Sequence, residues 1–363
     1  MKNHPYAALP DRQFWRRFVS DCPWGNINLN DRPKFQLGRE DRVATAGSCF
    51  AQHISRYLKK HGIPSYIAEP PHPLMIQYGG DTASYELFSA RYGNIYTARQ
   101  LWELFEQAFG HREMIEDFAQ EDGRWFDLLR PSVQKHGYVS LEEARADRAY
   151  HLLRVRELFK NASVFIFTLG LTESWYNAQL LHTYPVCPGT VRGCYDPDLH
   201  RFQNVSCGEV VDDLEQLINA LSVVNPSLEI ILTVSPVPLV ATFTNQNVLV
   251  ASSYSKAVLR AAAGEIERQH ANVAYFPSFE IISSPASFGQ YLASDLREVT
   301  ERGVSHVMDC FLDTFFNLSA VPVNPGASFE HAERSSSHDE PSALVECDEL
   351  MNARPISHSE KRV

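Results

Sequence analysis

The sequence predicts an α/β protein in which a parallel sheet lies between layers of helices. Three observations lead there. Short apolar runs, each too brief for a helix, recur along the chain and read as buried strands. Longer stretches with apolar residues at every third or fourth position read as amphipathic helices. The two kinds alternate, which is the pattern of a three-layer α/β/α sandwich with parallel strands.

The elements follow in order. Residues 14–18 read as a short helix packed on the main domain. The first strand covers residues 42–46, and helical spacing begins at once with Ala51, Ile54, Tyr57 and Leu58. Residues 65–68 read as a second, shorter strand. Ala98–Phe109 is a helix with Leu101, Leu104, Phe105 and Ala108 on one stripe. Val164–Leu169 is the plainest strand. Residues 210–223 then carry Leu214, Leu217, Ile218 and Leu221 on a helical face, and Glu229–Val234 returns as a strand. A helix over residues 253–270, opened by a serine cap, turns Val258, Ala262 and Ile266 inward. Val273–Phe276 closes the set of strands, and residues 304–315 form the last helix. The segment 70–160 is too long for one crossover; with its extra helices and the charged stretch 116–125 it reads as a helical insertion covering the site. Residues 1–322 are expected to form one domain. Residues 323–363 turn polar and lose apolar periodicity, which predicts a disordered tail.

Bulk properties exclude several function classes. A net charge of −11 opposes nucleic acid, whose affinity rests on Lys and Arg neutralising phosphates. No apolar run is long enough to span a bilayer, and the polar opening Met1-Lys2-Asn3-His4-Pro5 does not read as a secretory signal. The 7 cysteines are an odd number without short repeated spacing. Cys187, Cys194 and Cys207 share one loop-rich stretch, but no Cys-x-x-Cys or histidine pairing accompanies them, so no metal site is read there. The expectation is a reduced, cytoplasmic protein with buried thiols.

The first strand ends in Gly47-Ser48-Cys49, directly before a helix. Glycine allows a sharp turn where a Cβ would clash. The helix start aims free N–H groups at the turn, where they stabilise an anion or activate a nucleophile. Ser48 and Cys49 are therefore both candidate nucleophiles. The plain alternative is a turn of small residues with no chemistry.

Gly47-Ser48-Cys49-Phe50-Ala51 resembles the signature of the GSCFA family, a branch of the SGNH (GDSL-like) hydrolase clan. Four more segments resemble that family in the same order: residues 88–97, 168–175, 233–238 and 275–280. The resemblance runs from about residue 13 to about residue 318 and implies an SGNH-type fold with serine-dependent ester chemistry. It places the nucleophile at Ser48, whose own N–H would help hold the oxyanion; a register shift of one would choose Cys49. Gly93 matches the clan's second-block glycine, with the Asn94 amide beside it, although an ordinary loop glycine fits equally. The third block, Gly-x-Asn-Asp, corresponds to Gly170-Leu171-Thr172-Glu173. Thr172 keeps a hydroxyl where the clan has an amide, and Glu173 is either a site carboxylate or an ion-pair partner. Trp175 reads as a packing residue.

The final block departs from the pattern. The clan's Asp-x-x-His becomes Asp295-Leu296-Arg297-Glu298, so the usual base is replaced by a carboxylate. Three explanations stand. Asp295 or Glu298 acts as base; or a histidine from elsewhere does, with His53 and His306 as candidates and His306 read as a packed residue; or hydrolysis is lost and binding kept. Ser235-Pro236-Val237-Pro238 is expected to shape a pocket wall, Lys256 to be a solvated helix lysine, and His72 to lie in a loop. The implied function is an esterase or O-acyl(acetyl)transferase acting on an acylated carbohydrate-like or small-molecule substrate through an acyl-enzyme, with no metal or redox cofactor. The rivals are a catalytically silent SGNH-fold binding module and a thiol enzyme using Cys49. Oligomeric state is open.

Overall fold

The computed structural model describes residues 4–316 apart from 24–26, 30–32, 61, 64 and 79. The expected tail at 323–363 lies outside the described residues. The chain opens with 3₁₀ turns at Pro5–Ala8 and Asp11–Gln13 and a π-helical turn at Arg16–Ser20, where a short helix at 14–18 was expected.

Four strands make the central sheet. They are β1 (Val43–Gly47), β4 (Val164–Leu169), β8 (Glu229–Val234) and β9 (Val273–Phe276), all parallel, in the order β1-β4-β8-β9. Helices cover both faces, so the strands are buried on both sides and carry Val, Ile, Phe and Ala rather than a polar alternation. Side chains alternate between two cores. Ala44, Ala46, Phe165, Phe167, Ile230 and Leu232 face one, with α3 (Ala98–Phe109), α4 (Leu141–Asn161), α5 (Cys207–Val224) and α6 (Val248–Gln269). Val43, Val164, Ile166, Ile231 and Phe276 face the other, with α1 (Cys49–Lys60), α7 (Ser278–Ser283) and α8 (Glu301–Phe315). Among the described residues no helix is long and apolar enough to cross a membrane.

Caps explain where the helices start. Ser206 caps α5 in a reciprocal capping box with Glu209, and Thr97 does the same for α3 with Gln100. Asn247 caps α6, so this helix begins five residues before the serine cap expected at 253. Thr300 caps α8, four residues ahead of its first apolar position, Val304.

Two regions differ from the sequence expectation. Residues 65–68 do not form a strand. Only Ser65 bridges Val43, and by Ala68 the chain has turned to bond the Ser89 carbonyl. At the middle of the β1 edge side chains take part instead: the Ser89 hydroxyl accepts the Thr45 N–H, and the Tyr92 hydroxyl donates to the Thr45 carbonyl, while the Val43 and Gly47 carbonyls accept backbone N–H groups of Tyr66 and Ile95. The second difference is a three-stranded antiparallel sheet after β4, in the order β6-β5-β7: β5 (Glu173–Asn177), β6 (His182–Tyr184) and β7 (His200–Asn204). The segment 70–160 contributes the short α2 (Pro73–Gln77), α3, an antiparallel hairpin of β2 (Phe118–Glu121) and β3 (Arg124–Asp127), and α4.

A buried ionic layer joins that hairpin to α4. Arg130 pairs with Asp127 and Asp147, each at 2.8 Å; Arg91 pairs with Asp147 at 3.0 Å; and the His151 Nδ1 lies 2.7 Å from Glu69. The Arg91 backbone N–H also donates to Glu69 at 2.8 Å. This layer fixes the stretch immediately before Gly93, which matters for the site.

Candidate functional site

The C-terminal edge of a parallel sheet is where such folds gather their chemistry, and here β1 ends in Gly47 with φ of +142°. A Cβ at that position would lie 2.6 Å from the Thr168 carbonyl oxygen, so only glycine lets β1 run this close to β4 before the turn. Ser48 follows, immediately ahead of α1. A serine in this place ordinarily caps the helix by accepting an N–H of its first turn. Ser48 does not: it is 3% exposed, and its Oγ has no hydrogen-bond partner among the described residues. Its backbone N–H makes only a long bond, 3.4 Å, to the Thr168 carbonyl. Cys49 opens α1, and its side chain lies outside the described residues.

Residues 92–96 form a strap across the end of β1 and β4. The Ile95 N–H donates to the Gly47 carbonyl at 2.9 Å, and the Gly170 and Leu171 N–H groups both donate to the Tyr96 carbonyl. Gly93, with φ of +70°, turns the strap, and the buried Asn94 accepts a 3.4 Å bond from the Gln52 amide one turn into α1. Gly170 packs between the strap and Ser48. A Cβ there would meet the Tyr96 ring and carbonyl at 3.1 Å and the Ser48 Cβ at 3.3 Å. The structure therefore brings Ser48, the Gly93–Asn94 turn and Gly170 together.

Other sequence candidates are placed differently. Thr172 anchors the small sheet: its N–H donates to the Ser255 hydroxyl, and its own hydroxyl donates to Asn204 at 2.7 Å. It is not a donor aimed at Ser48. Asp295 is exposed and accepts the N–H groups of Arg297 and Glu298 in its own turn, which hold its carboxyl below the usual range. Glu298 is exposed as well. Arg297 ties this turn to the Pro238 carbonyl, and neither carboxylate hydrogen-bonds the Ser48 hydroxyl. His306 is a packed residue: it stacks on Tyr291 at 5.4 Å and its Nε2 bonds the Ile27 carbonyl. His53 packs against Phe50, and burial together with the Arg56 charge holds its imidazole down at about 4. His72 caps the short α2.

Two features were missed in the sequence. Lys256 is not solvated; it is 4% exposed, and its Nζ donates to the Gly170 carbonyl at 2.7 Å. Helical phase carried the signal, since Ser252, Lys256, Leu259 and Ala263 recur at the spacing of one inward face, and all four are buried. The other is a cavity of about 330 Å³ that begins at Leu171, one residue beyond Gly170. Its walls include Glu173, Trp175, Tyr195, Phe202 and the loop from Leu239 to Phe243 that follows Ser235-Pro236-Val237-Pro238. Trp175 thus lines a cavity as well as packing. Among the described residues, no group of three or more His, Cys, Asp or Glu side chains could hold a metal ion.

The profile of the GSCFA family matches residues 42–311, a span that runs from the start of β1 into α8 and contains every residue of the cluster around Ser48, and the chain belongs to that family. A search of curated proteins finds no match.

Proposed function

We propose that this GSCFA-family chain, with an SGNH-type α/β/α fold, is a serine-dependent esterase or O-acyl(acetyl)transferase acting on an acylated carbohydrate-like or small-molecule substrate. The observation that carries the reading is the Ser48 hydroxyl. A buried hydroxyl without a partner is destabilising by about 1–3 kcal/mol, and here it stands at a strand–helix turn that only glycine permits, packed on Gly170, the residue before the cavity wall begins at Leu171. Such an arrangement suits a group kept free to react.

In the proposed reaction the Ser48 Oγ attacks the ester carbonyl carbon, and its proton passes to a base. The tetrahedral oxyanion collapses, the ester C–O bond breaks, and the leaving alkoxide takes up the proton. Water or an acceptor hydroxyl then attacks the acyl-Ser48 carbonyl and releases the serine. The Ser48 N–H, held only loosely by the Thr168 carbonyl, is available to the oxyanion. Lys256 donates to the carbonyl of Gly170, the residue packed on Ser48, and in this reading its charge favours the developing negative charge.

The exposed positions of Asp295 and Glu298 favour one second reading, a catalytically silent SGNH-fold module that binds its ligand without turnover. Hydrolysis of p-nitrophenyl acetate separates the two. The catalytic reading expects turnover that disappears in Ser48→Ala and persists in Asp295→Asn; turnover that persists undiminished in Ser48→Ala would overturn it, and no turnover at all would support the silent module.

A further inference from the structure

The cavity beside Gly170 has a composition that selects its occupant. Glu173 lies in its wall, only 9% exposed, and among the described residues no Lys, Arg or His nitrogen comes within 4.0 Å of its carboxylate. Its oxygens accept the Thr242 hydroxyl at 2.7 Å and the Phe243 N–H at 3.2 Å. Neutral donors spread a charge without cancelling it, and a carboxylate that opens on a cavity with no ion-pair partner among the described residues is placed to take its counter-ion from a ligand. Glu69, Asp127 and Asp213, buried elsewhere in the chain, each face an arginine, whereas Glu103, held by the Thr183 N–H and hydroxyl, is pushed up by burial toward its protonated form. Glu173 faces aromatic rings. Trp175 meets Tyr195, Phe202 and Phe243 edge to face at centroid distances of 5.3, 5.6 and 4.8 Å, and all four line the cavity.

The rest of the lining narrows the choice. No lysine, arginine or histidine belongs to it, so an anionic ligand would find no partner. Three of its four hydroxyls are already engaged within the protein: Thr190 donates to the Cys187 carbonyl, Ser174 accepts the Gln203 amide, and Thr242 holds Glu173, which leaves the Tyr195 phenol. A polyhydroxylated sugar would find few free groups. An organic cation gains from both the carboxylate and the rings, because the face of an aromatic ring attracts positive charge. The chain's net charge of −11 adds a long-range attraction of the same sign.

We propose that this cavity binds an organic cation, with an alkylammonium head against the Trp175 and Phe243 rings and Glu173 as its counter-ion. The substrates of Ser48 are then esters that carry such a head group; that extension rests on the acyl-transfer reading, whereas the binding itself does not.

The test is a calorimetric titration of the full chain with choline and with its uncharged isostere 3,3-dimethyl-1-butanol, in the wild type and in Ser48→Ala. Choline is expected to bind one to one, on the order of tenfold more tightly than the isostere, and equally in both proteins. Glu173→Gln and Phe243→Ala are each expected to weaken choline severalfold. Phe243 is 65% exposed, so its truncation leaves the fold intact even if Glu173→Gln does not fold. Equal or tighter binding of the isostere, binding of N-acetylglucosamine in place of choline, or no choline binding would each overturn the proposal. The two claims fail separately. Choline binding in a protein without Ser48 reactivity removes only the acyl-transfer reading, and a reactive Ser48 without choline binding removes only the cation.

Discussion

Replacing His151 by glutamine tests the buried ionic layer that holds the strap over Ser48. The ring, carried by α4, is fully buried, with its Nδ1 on Glu69 and its Nε2 without a partner among the described residues. Burial, aided by the Arg130 and Arg148 charges and opposed by Glu69, holds the imidazole down at about 4, against 6.5 for a free histidine. Glu69 stays ionised because His151, Arg130 and the Arg91 N–H together outweigh the burial that would push its carboxyl up. The folded protein therefore carries a neutral His151 where the unfolded chain takes up a proton. Its contribution to stability is complete above about pH 6.5 and is lost as the pH falls toward 4, with a full size of about 3 kcal/mol. His53, held down at about 4, acts in the same direction. Glu103 acts in the opposite one, because burial pushes its carboxyl up to about 7 and stability is regained as it protonates. Both remain in the variant and cancel in the comparison. His151→Gln keeps an amide to donate to Glu69 but cannot titrate. Urea unfolding at pH 7.5, 6, 5 and 4 should show the wild type losing about 3 kcal/mol more than the variant across that range. An identical pH slope in the two proteins would refute the reasoning, whatever their offset at neutral pH.

Other expectations can be checked with single substitutions. Gly170→Ala inserts a methyl 3.1 Å from Tyr96 and 3.3 Å from the Ser48 Cβ, so chemical unfolding should show a loss of about 1–3 kcal/mol, and a stability within 0.3 kcal/mol of wild type would contradict that packing. Gly47→Ala meets the Thr168 carbonyl at 2.6 Å with φ of +142°, and circular dichroism melting should show a much larger loss than Gly170→Ala; the reverse order would be wrong for this turn. Lys256→Met removes a buried cation whose desolvation offsets its hydrogen bond, so turnover should fall by about 10²–10³ while stability stays within about 2 kcal/mol. Unchanged turnover would remove Lys256 from the site.

Much of the sheet was legible because its strands are buried on both faces. Runs such as Val164-Phe165-Ile166-Phe167 and Ile230-Ile231-Leu232 have no other stable home. Residues 65–68 misled because a short apolar stretch does not reveal whether its backbone bonds a strand or a neighbouring loop, and Ser89 and Tyr92 take over the middle of the β1 edge from 44 and 47 positions away. The turn at Gly47-Ser48 was legible because glycine and a following helix are both local signals. The aromatic cavity was not, since Trp175, Tyr195, Phe202 and Phe243 converge only through the pairing of β5 with β7 and the return of the loop after β8. Asp295 and Glu298 show the limit of spacing as a guide: it names a turn, but burial and contact decide whether its carboxylates reach Ser48. For Lys256 the helical phase was readable and the general preference of lysine for water outweighed it.

The most direct measurement is intact mass after incubation with a serine-directed fluorophosphonate, run beside Ser48→Ala and Cys49→Ala. One adduct per chain, present in the wild type and Cys49→Ala and absent in Ser48→Ala, is the predicted result. Labelling that survives in Ser48→Ala, or a wild type that takes up no reagent, would contradict an activated serine at the end of β1.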